Sequence, residues 1–125
     1  MNNHKSFNVN QDAVLRNSKD EVLILKRTGG KWMLPGGRLE NDESPKSGLL
    51  REIKEETGIN ECEVRGVLNV GLSESKNTFL VTFSCYTEEE KIVLSSEHEE
   101  YKWVKVKDID KHEFSFEEIK EIIKT

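Results

Sequence analysis

The sequence predicts an α/β fold, a sandwich built around a mixed β-sheet. Two observations favour this class. Strand patterns and helix patterns alternate along the 125 residues without an obvious linker, and one strand pattern is a continuous apolar run, which suits a strand covered on both faces. A chain of this length holds one compact domain, here 1–125, because a second domain would be too small to bury its own core.

Two strands are predicted in the first part of the chain, at residues 13–16 and 22–27. Residues 17–20 between them read Asn-Ser-Lys-Asp, which is turn chemistry, so we expect a hairpin. A short extended segment at 31–34 then leads into Pro-Gly-Gly at 35–37.

A helix follows with clear start and stop signals. Ser44 suits the N-cap and Pro45 the first helical position, while Gly58 can adopt the left-handed conformation that ends a helix. Gly48 lies inside this helix, where glycine costs about 1 kcal/mol relative to alanine. We therefore expect a close contact at its backbone.

The second half of the chain predicts further strands and a closing helix. One strand should place four apolar residues on one face: Val64, Leu68, Val70 and Leu72. The next should do the same with Phe79, Val81, Phe83 and Cys85. A shorter strand at 101–104 and a helical turn at 106–110 precede a helix at 116–124, whose apolar side is formed by Phe116, Ile119, Ile122 and Ile123.

Composition limits the function classes. The formal net charge of −5 weighs against a broad nucleic-acid-binding face, which needs concentrated basic residues. The longest apolar run, 22–25, is too short for a membrane span, and the polar segment 1–11 lacks the features of a targeting signal, so we expect a cytoplasmic protein. Cys62 and Cys85 lack metal-ligand spacing and are expected to be buried reduced thiols.

An acidic ridge on the predicted helix is the main chemical signal. At about 100° per residue, Glu52, Glu55 and Glu56 lie on one side, while Arg51 and Lys54 point elsewhere. Such carboxylates repel one another, and a hard divalent cation would offset the repulsion. The alternative is a solvated acidic face with Arg51 and Lys54 as partners.

The segment around this ridge resembles the Nudix box. Residues 37–59 read GRLENDESPKSGLLREIKEETGI, which fits G-x5-E-x7-R-E-U-x-E-E-x-G-U, where U is a bulky aliphatic residue. The fixed positions are filled by Gly37, Glu43, Arg51, Glu52, Ile53, Glu55, Glu56, Gly58 and Ile59. The resemblance implies a Nudix-type α/β/α sandwich whose box forms a loop–helix–loop that binds Mg²⁺ or Mn²⁺ and a diphosphate.

The resemblance also implies a role for each matching residue. Glu52, Glu55 and Glu56 would be metal ligands. Glu43 and Arg51 would form a supporting ion pair that orients them. Gly37 and Gly58 would permit the turns of the loops, and Ile53 and Ile59 are core positions.

A further carboxylate is expected after the box. Residues 95–103 read SSEHEEYKW, similar to the family's Glu-His pair followed by an aromatic residue and Trp. Glu97 is the preferred extra ligand or general base, with Glu100 and Glu99 as alternatives. The predicted catalytic group is therefore Arg51, Glu55, Glu56 and Glu97, while His98 is expected to be structural.

Substrate contacts are predicted on the other side of the site. Arg27 could reach a substrate phosphate, or be an ordinary surface arginine. Gly36 and Gly37 are expected to lie beside the diphosphate. Trp32 could stack on a base, although a place in the core fits it better.

The implied reaction is attack of water on a phosphorus of a nucleoside diphosphate linked to X. Marks of the ADP-ribose, diadenosine polyphosphate and coenzyme A hydrolases are not visible, so a nucleoside triphosphate or modified nucleotide is the expected small-molecule substrate, cleaved to a monophosphate and pyrophosphate. The alternatives are an inactive nucleotide-binding regulatory domain and an RNA-end pyrophosphohydrolase. A monomer or a homodimer is equally compatible with the sequence.

Overall fold

The computed structural model of the chain describes residues 4–125. The start of the polar N-terminal segment therefore lies outside the described residues. Strands and helices follow in the order β1 (Asn8–Arg16), β2 (Glu21–Arg27), β3 (Trp32–Met33), β4 (Gly36–Arg38), α1 (Pro45–Thr57), β5 (Glu63–Leu72), β6 (Thr78–Tyr86), β7 (His98–Lys105), a 3₁₀ helix (Val106–Lys111) and α2 (Glu118–Lys124).

The strands form one mixed sheet in the order β3-β2-β1-β6-β5, with β4 beside β1 and β7 beside β2. Strands β1 and β6 run parallel, and the other pairs are antiparallel. Strand β1 begins five positions earlier than predicted, at Asn8 instead of residue 13. Its polar first half is extended because it pairs with β4 on one side and with β6 on the other.

Each face of the sheet carries its own apolar core. Leu15, Leu23 and Leu25 pack with residues of α1, including Leu49 and Ile53. The opposite face packs on the 3₁₀ helix and α2, and its core contains Val14, Ile24, Trp32, Ile109, Phe114, Ile119 and Ile123. Because β1 and β2 supply side chains to both cores, their apolar runs need no alternation. The predicted α/β/α sandwich around a mixed sheet is confirmed.

Both ends of α1 match the prediction. Ser44 Oγ accepts a hydrogen bond from the Ser47 N–H at 3.3 Å, and Gly58 ends the helix with φ +77°. The contact expected at Gly48 is also present, since a Cβ there would lie 2.6 Å from Leu39 Cδ1.

The predicted apolar face of β5 is wrong at Leu68. Two register shifts, between Val64 and Gly66 and between Val67 and Asn69, move residues from one face to the other. Val64 therefore contacts the core beneath α1, whereas Leu68 contacts the core beneath α2.

The closing helix is shorter than predicted. It begins at Glu118, and Phe116 lies before it with 68% of its surface exposed. Residues 113–115 run beside Trp32, where the Trp32 N–H donates to Glu113 O and the Ser115 N–H donates to Trp32 O. Because residues 113–115 are extended, the helix begins only after them. The aromatic side chain buried in the core is that of Phe114, and not that of Phe116 as predicted. Within residues 4–125, no helix is long and apolar enough to cross a membrane.

The two cysteines lie next to each other and are reduced. Cys85 is buried as expected, but Cys62 is only half-buried because it lies just before the edge strand β5. A hydrogen bond between the two thiols lowers the pKa of Cys62, while that contact and burial raise the pKa of Cys85.

Candidate active site

A cleft of about 360 Å³ lies where α1 meets the sheet. Six of the predicted site residues line it: Arg27, Gly36, Gly37, Glu52, Glu56 and Glu97. It is also lined by residues to which the sequence assigned no site role: Asn10, Gln11, Asp12, Met33, Leu34, Arg38, Phe116 and Ile119.

Glu56 is a carboxylate of the cleft that is held by a backbone hydrogen bond. Its side chain is buried, and Oε1 accepts a hydrogen bond from the Gly36 N–H at 2.9 Å. The pKa of Glu56 is raised to about 7, mainly by burial and also by the negative charges of Glu52 and Glu97, whereas the hydrogen bond from Gly36 and the charge of Arg27 oppose this rise. A bound cation would favour the ionised carboxylate.

Glu52 lies against the backbone of Gly37. A Cβ at Gly37 would lie 2.5–2.7 Å from the carbon and oxygens of the Glu52 carboxyl group. Gly37 is therefore needed for a close approach and not, as predicted, for a turn, whereas the positive φ of Gly58 fits the turn role. Burial is the main reason that the pKa of Glu52 is raised.

The predicted ion pair between Glu43 and Arg51 is present. Arg51 Nη2 donates to Glu43 Oε1 at 3.0 Å, and Arg51 Nε donates to the other oxygen. These hydrogen bonds lower the pKa of Glu43. Arg51 does not point away from the ridge as predicted, because its Nη1 also lies 2.9 Å from a Glu52 oxygen and 3.2 Å from a Glu55 oxygen. Its long side chain bends back over the acidic side of α1.

Glu55 has a different position from the other two box glutamates of the ridge. Its side chain is 58% exposed and lies beside Arg51, outside the lining of the cleft. Its predicted roles as a metal ligand and a catalytic residue stay predictions.

Glu97 is the loop carboxylate that faces the cleft. Glu99 lies 4.0 Å from Lys26 instead, and Glu100 is paired with Lys26 along the strand. Ligand atoms of Glu56, Glu97 and His98 all lie within 4.8 Å of one another. Two carboxylates and an imidazole form a donor set that fits a divalent cation, with Glu52 lining the same cleft.

Of the two side chains considered for substrate binding, Arg27 lies at the cleft and Trp32 lies in the core. Arg27 lines the cleft, and its charge lowers the pKa of Glu56. Trp32 is only 8% exposed and meets the His112 ring edge-on, with 5.7 Å between ring centroids. Trp32 is therefore a core residue, and the aromatic side chain exposed at the cleft is Phe116.

Asp12 is the main site residue that the sequence did not reveal. It lines the cleft, its Oδ1 is buried without a hydrogen-bond partner in the described part of the chain, and the Thr82 side chain hydrogen-bonds to the carboxyl group. Burial raises the pKa of Asp12 to about 6. The alternation of Asn8, Asn10 and Asp12 ahead of the apolar run was the available signal, since it marks one polar face of a longer strand.

Sequence comparison gives a consistent family. The NUDIX domain matches residues 7–124. A MutT-like protein of Streptomyces ambofaciens is 37% identical over 73 residues, which cover 58% of this chain and 47% of that protein. An 8-oxo-dGTP diphosphatase of Proteus vulgaris is 56% identical over 52 residues, which cover 38% of this chain and 46% of that protein. The chain thus spans less than half the length of these relatives.

A solved structure extends the similarity to nearly the whole chain. The MutT protein from Methanosarcina mazei Go1 superposes with a TM-score of 0.78 at 30% identity, covering 98% of this chain and 94% of that one. A Caenorhabditis elegans Ap4A hydrolase has the same fold, with a TM-score of 0.78 at 19% identity over 92% of both chains. The NUDIX domain match over residues 7–124 and the MutT structure at 30% identity, together with the filled box, establish that the chain belongs to the NUDIX domain family.

Proposed function

We propose that this protein is a metal-dependent pyrophosphohydrolase that cleaves a phosphoric anhydride bond in a small nucleotide. Water attacks a phosphorus atom, and a nucleoside triphosphate or modified nucleotide yields a monophosphate and pyrophosphate. The observation that carries this proposal is the position of Glu56, held by Gly36 and gathered with Glu52 and Glu97 around one cleft.

We assign a different role in the reaction to each of the charged residues at the cleft. Glu52, Glu56 and Glu97 would hold Mg²⁺ or Mn²⁺, which supplies stabilisation of the charge that develops on the phosphate. Glu97 lines the same cleft beside Glu56, so a carboxylate oxygen that does not hold the cation would be free to accept the proton of the attacking water. Arg27 offsets charge on the substrate phosphates. Arg51 fixes Glu43 and Glu52 without entering the cleft lining.

The substrate class follows from the named relatives and the cleft. Two relatives are named for acting on oxidised guanine nucleotides, an 8-oxo-dGTP diphosphatase of Proteus vulgaris and an 8-oxo-dGDP phosphatase of Danio rerio that is 46% identical over 55 residues. The exposed ring of Phe116 at the cleft offers a surface for stacking a base. The names of the relatives favour purine nucleotides, including oxidised forms, and the ring of Phe116 is compatible with binding their bases.

A nucleotide panel tests this proposal. The protein is incubated with common and oxidised nucleoside triphosphates and with ADP-ribose, in Mg²⁺, in Mn²⁺ and in EDTA, and the products are identified by mass spectrometry. We expect monophosphate and pyrophosphate from at least one triphosphate, with turnover abolished by EDTA. Retained nucleotide binding without turnover in either metal would support the regulatory-domain alternative instead.

An RNA-end pyrophosphohydrolase remains the second candidate. A protein of that name from Marinomonas sp. is 34% identical over 59 residues. The net charge of −5 weighs against binding an RNA backbone. Adding a 5′-triphosphorylated oligonucleotide to the panel distinguishes the RNA-end candidate from the small-nucleotide candidate. An RNA substrate would have a kcat/KM far above that of the mononucleotides, and this value would fall steeply as the salt concentration rises.

A further inference from the structure

We propose that His98 is a nitrogen ligand of the metal site, together with Glu56 and Glu97, and that this donor set favours Mn²⁺ and Co²⁺ over Mg²⁺. The inference rests on the proposed function, because it concerns the cation of the same cleft. It adds a ligand that lies outside the Nudix box.

The surroundings of the imidazole point to a ligand. His98 is 6% exposed, and one of its ring nitrogens lies within 4.8 Å of carboxylate oxygens of both Glu56 and Glu97. Its Nδ1 is buried and has no hydrogen-bond partner in the described part of the chain. Burying a polar group without a hydrogen-bond partner is unfavourable. A cation in the space between these donors would take a ring nitrogen of His98 as a ligand.

The backbone fixes His98 over α1. The His98 N–H donates to Ser95 O at 3.3 Å, and the Ser95 N–H donates to Glu56 O at 3.4 Å. Strand β7 begins at His98, opposite Arg27, at a register shift between Lys26 and Arg27. The turn before β7 is thus tied both to the last part of α1 and to β2, which places Glu97 and His98 at Glu56.

The type of donor determines which cation is preferred. Mg²⁺ is a hard ion that favours oxygen ligands and retains its water molecules. Imidazole nitrogen suits transition metals, and affinity for a site with such a donor rises from Mn²⁺ to Co²⁺. With His98 as a third ligand, a site with two carboxylates should therefore prefer Mn²⁺ and Co²⁺ over Mg²⁺. A site with oxygen ligands alone should discriminate less between these ions.

Pulsed electron paramagnetic resonance of the Mn²⁺-loaded protein tests the assignment. We expect modulation from a directly bound ¹⁴N nucleus that changes to a ¹⁵N pattern when histidine is isotopically labelled. His98→Gln should abolish this nitrogen signal and weaken Mn²⁺ binding in titration calorimetry by about tenfold or more, while Mg²⁺ binding changes less. His112→Gln, which removes a ring on the opposite core, should retain the signal.

A second variant keeps the test valid if His98→Gln fails to fold. His4→Gln/His112→Gln leaves His98 as the remaining histidine of the sequence, and the nitrogen signal should persist in it. Mn²⁺ bound without nitrogen coupling in the wild-type protein would overturn the role of His98 and leave the proposed hydrolase intact. Failure of the wild-type protein to bind Mn²⁺ would overturn both.

Discussion

Glu56 links the chemistry of the cleft to the stability of the fold. Its burial favours the protonated carboxyl group, whereas the metal-ligand role that we propose for it requires the ionised form. The Gly36 hydrogen bond and the charge of Arg27 act in the opposite direction. If the proposed cation binds here, we expect Glu56 to release its proton on binding near neutral pH.

Replacing Glu56 tests its role in the reaction. Glu56→Gln preserves the shape and removes the charge, so we expect the rate to fall by about 10²–10³-fold, as when a key electrostatic partner is lost. Steady-state kinetics on the nucleotide identified in the panel gives the measurement. Glu63→Gln, at an exposed glutamate paired with Arg65, is the matched control. A Glu56→Gln rate within threefold of the wild type would refute the ligand assignment.

The raised pKa of Glu56 predicts how stability depends on pH without metal. The folded state holds this proton up to about pH 7, whereas the unfolded carboxyl loses it near its ordinary pKa of 4.5. Since the folded state binds more protons in this window, the free energy of unfolding should fall as pH rises from about 4.5 to 7, by about 3 kcal/mol at most for this group. Urea denaturation in EDTA measures it.

Comparison with Glu56→Gln isolates this contribution. The variant has no ionisable group at that position, so its stability should depend less steeply on pH over the same window. Asp12, whose raised pKa acts in the same direction, would keep part of the slope in both proteins. Identical slopes for the two proteins would mean that Glu56 is not protonated in the folded state.

At the scale of elements, α1 and β4 act as one unit. Strand β4 lies antiparallel to β1, and its two glycines lie beside Glu52 and Glu56, the helix carboxylates that reach the cleft. A side chain at Gly36 would overlap the Gln11 carbonyl oxygen, which is backbone and cannot move independently. The close approach of helix and strand thus explains why glycine is needed at both positions.

Gly37→Ala tests this close approach. The new Cβ would occupy the space of the Glu52 carboxyl group, so we expect Mn²⁺ binding to weaken by about tenfold or more, with the fold retained because the displaced group is the end of a flexible side chain. Titration calorimetry and circular dichroism measure the two effects. Gly66→Ala is the control, since a Cβ there meets nothing within 4 Å. Equal affinities for the two variants would contradict the packing argument.

The same elements show what can be predicted from sequence. The caps of α1 and the acidic ridge depend on local spacing along one helix, and these were predicted from the residues, whereas the Glu43–Arg51 pair was predicted from the family resemblance. Leu68 was misplaced because bulges in β5 reverse the face, and Asp12 was missed because its strand depends on parallel pairing with β6, far along the chain. Bulges and pairing between distant strands are not determined by residues that are adjacent in the sequence, and the alternation of Asn8, Asn10 and Asp12 is a weak local sign of the longer strand.

At the scale of the whole molecule, the sandwich brings two distant segments to one point. The box lies on α1 on one face of the sheet, and the segment with Glu97 and His98 enters β7 more than forty residues later, held by β2. The family resemblance predicted that Glu97 belongs to the site. The position of His98 at the carboxylates was not predicted, because it depends on the register between β2 and β7 and on the turn at Ser95.

A bound cation should therefore stabilise the whole fold. It would bind the folded state only, so saturating Mn²⁺ at 100 times the dissociation constant should add about 2.7 kcal/mol to the free energy of unfolding. Thermal denaturation in Mn²⁺ and in EDTA should show a higher Tm with the metal, and the difference should shrink in Glu56→Gln. An equal difference in both proteins would place the cation elsewhere.

The central claim is that the acidic cleft holds a divalent cation against the phosphates of a nucleotide. Anomalous diffraction from crystals grown with Mn²⁺ and a non-hydrolysable nucleoside triphosphate tests it most directly. We expect a manganese peak coordinated by Glu56 and Glu97, with a substrate phosphate oxygen in contact with it. Manganese bound away from this cleft, or a nucleotide whose phosphates lie elsewhere, would contradict the account.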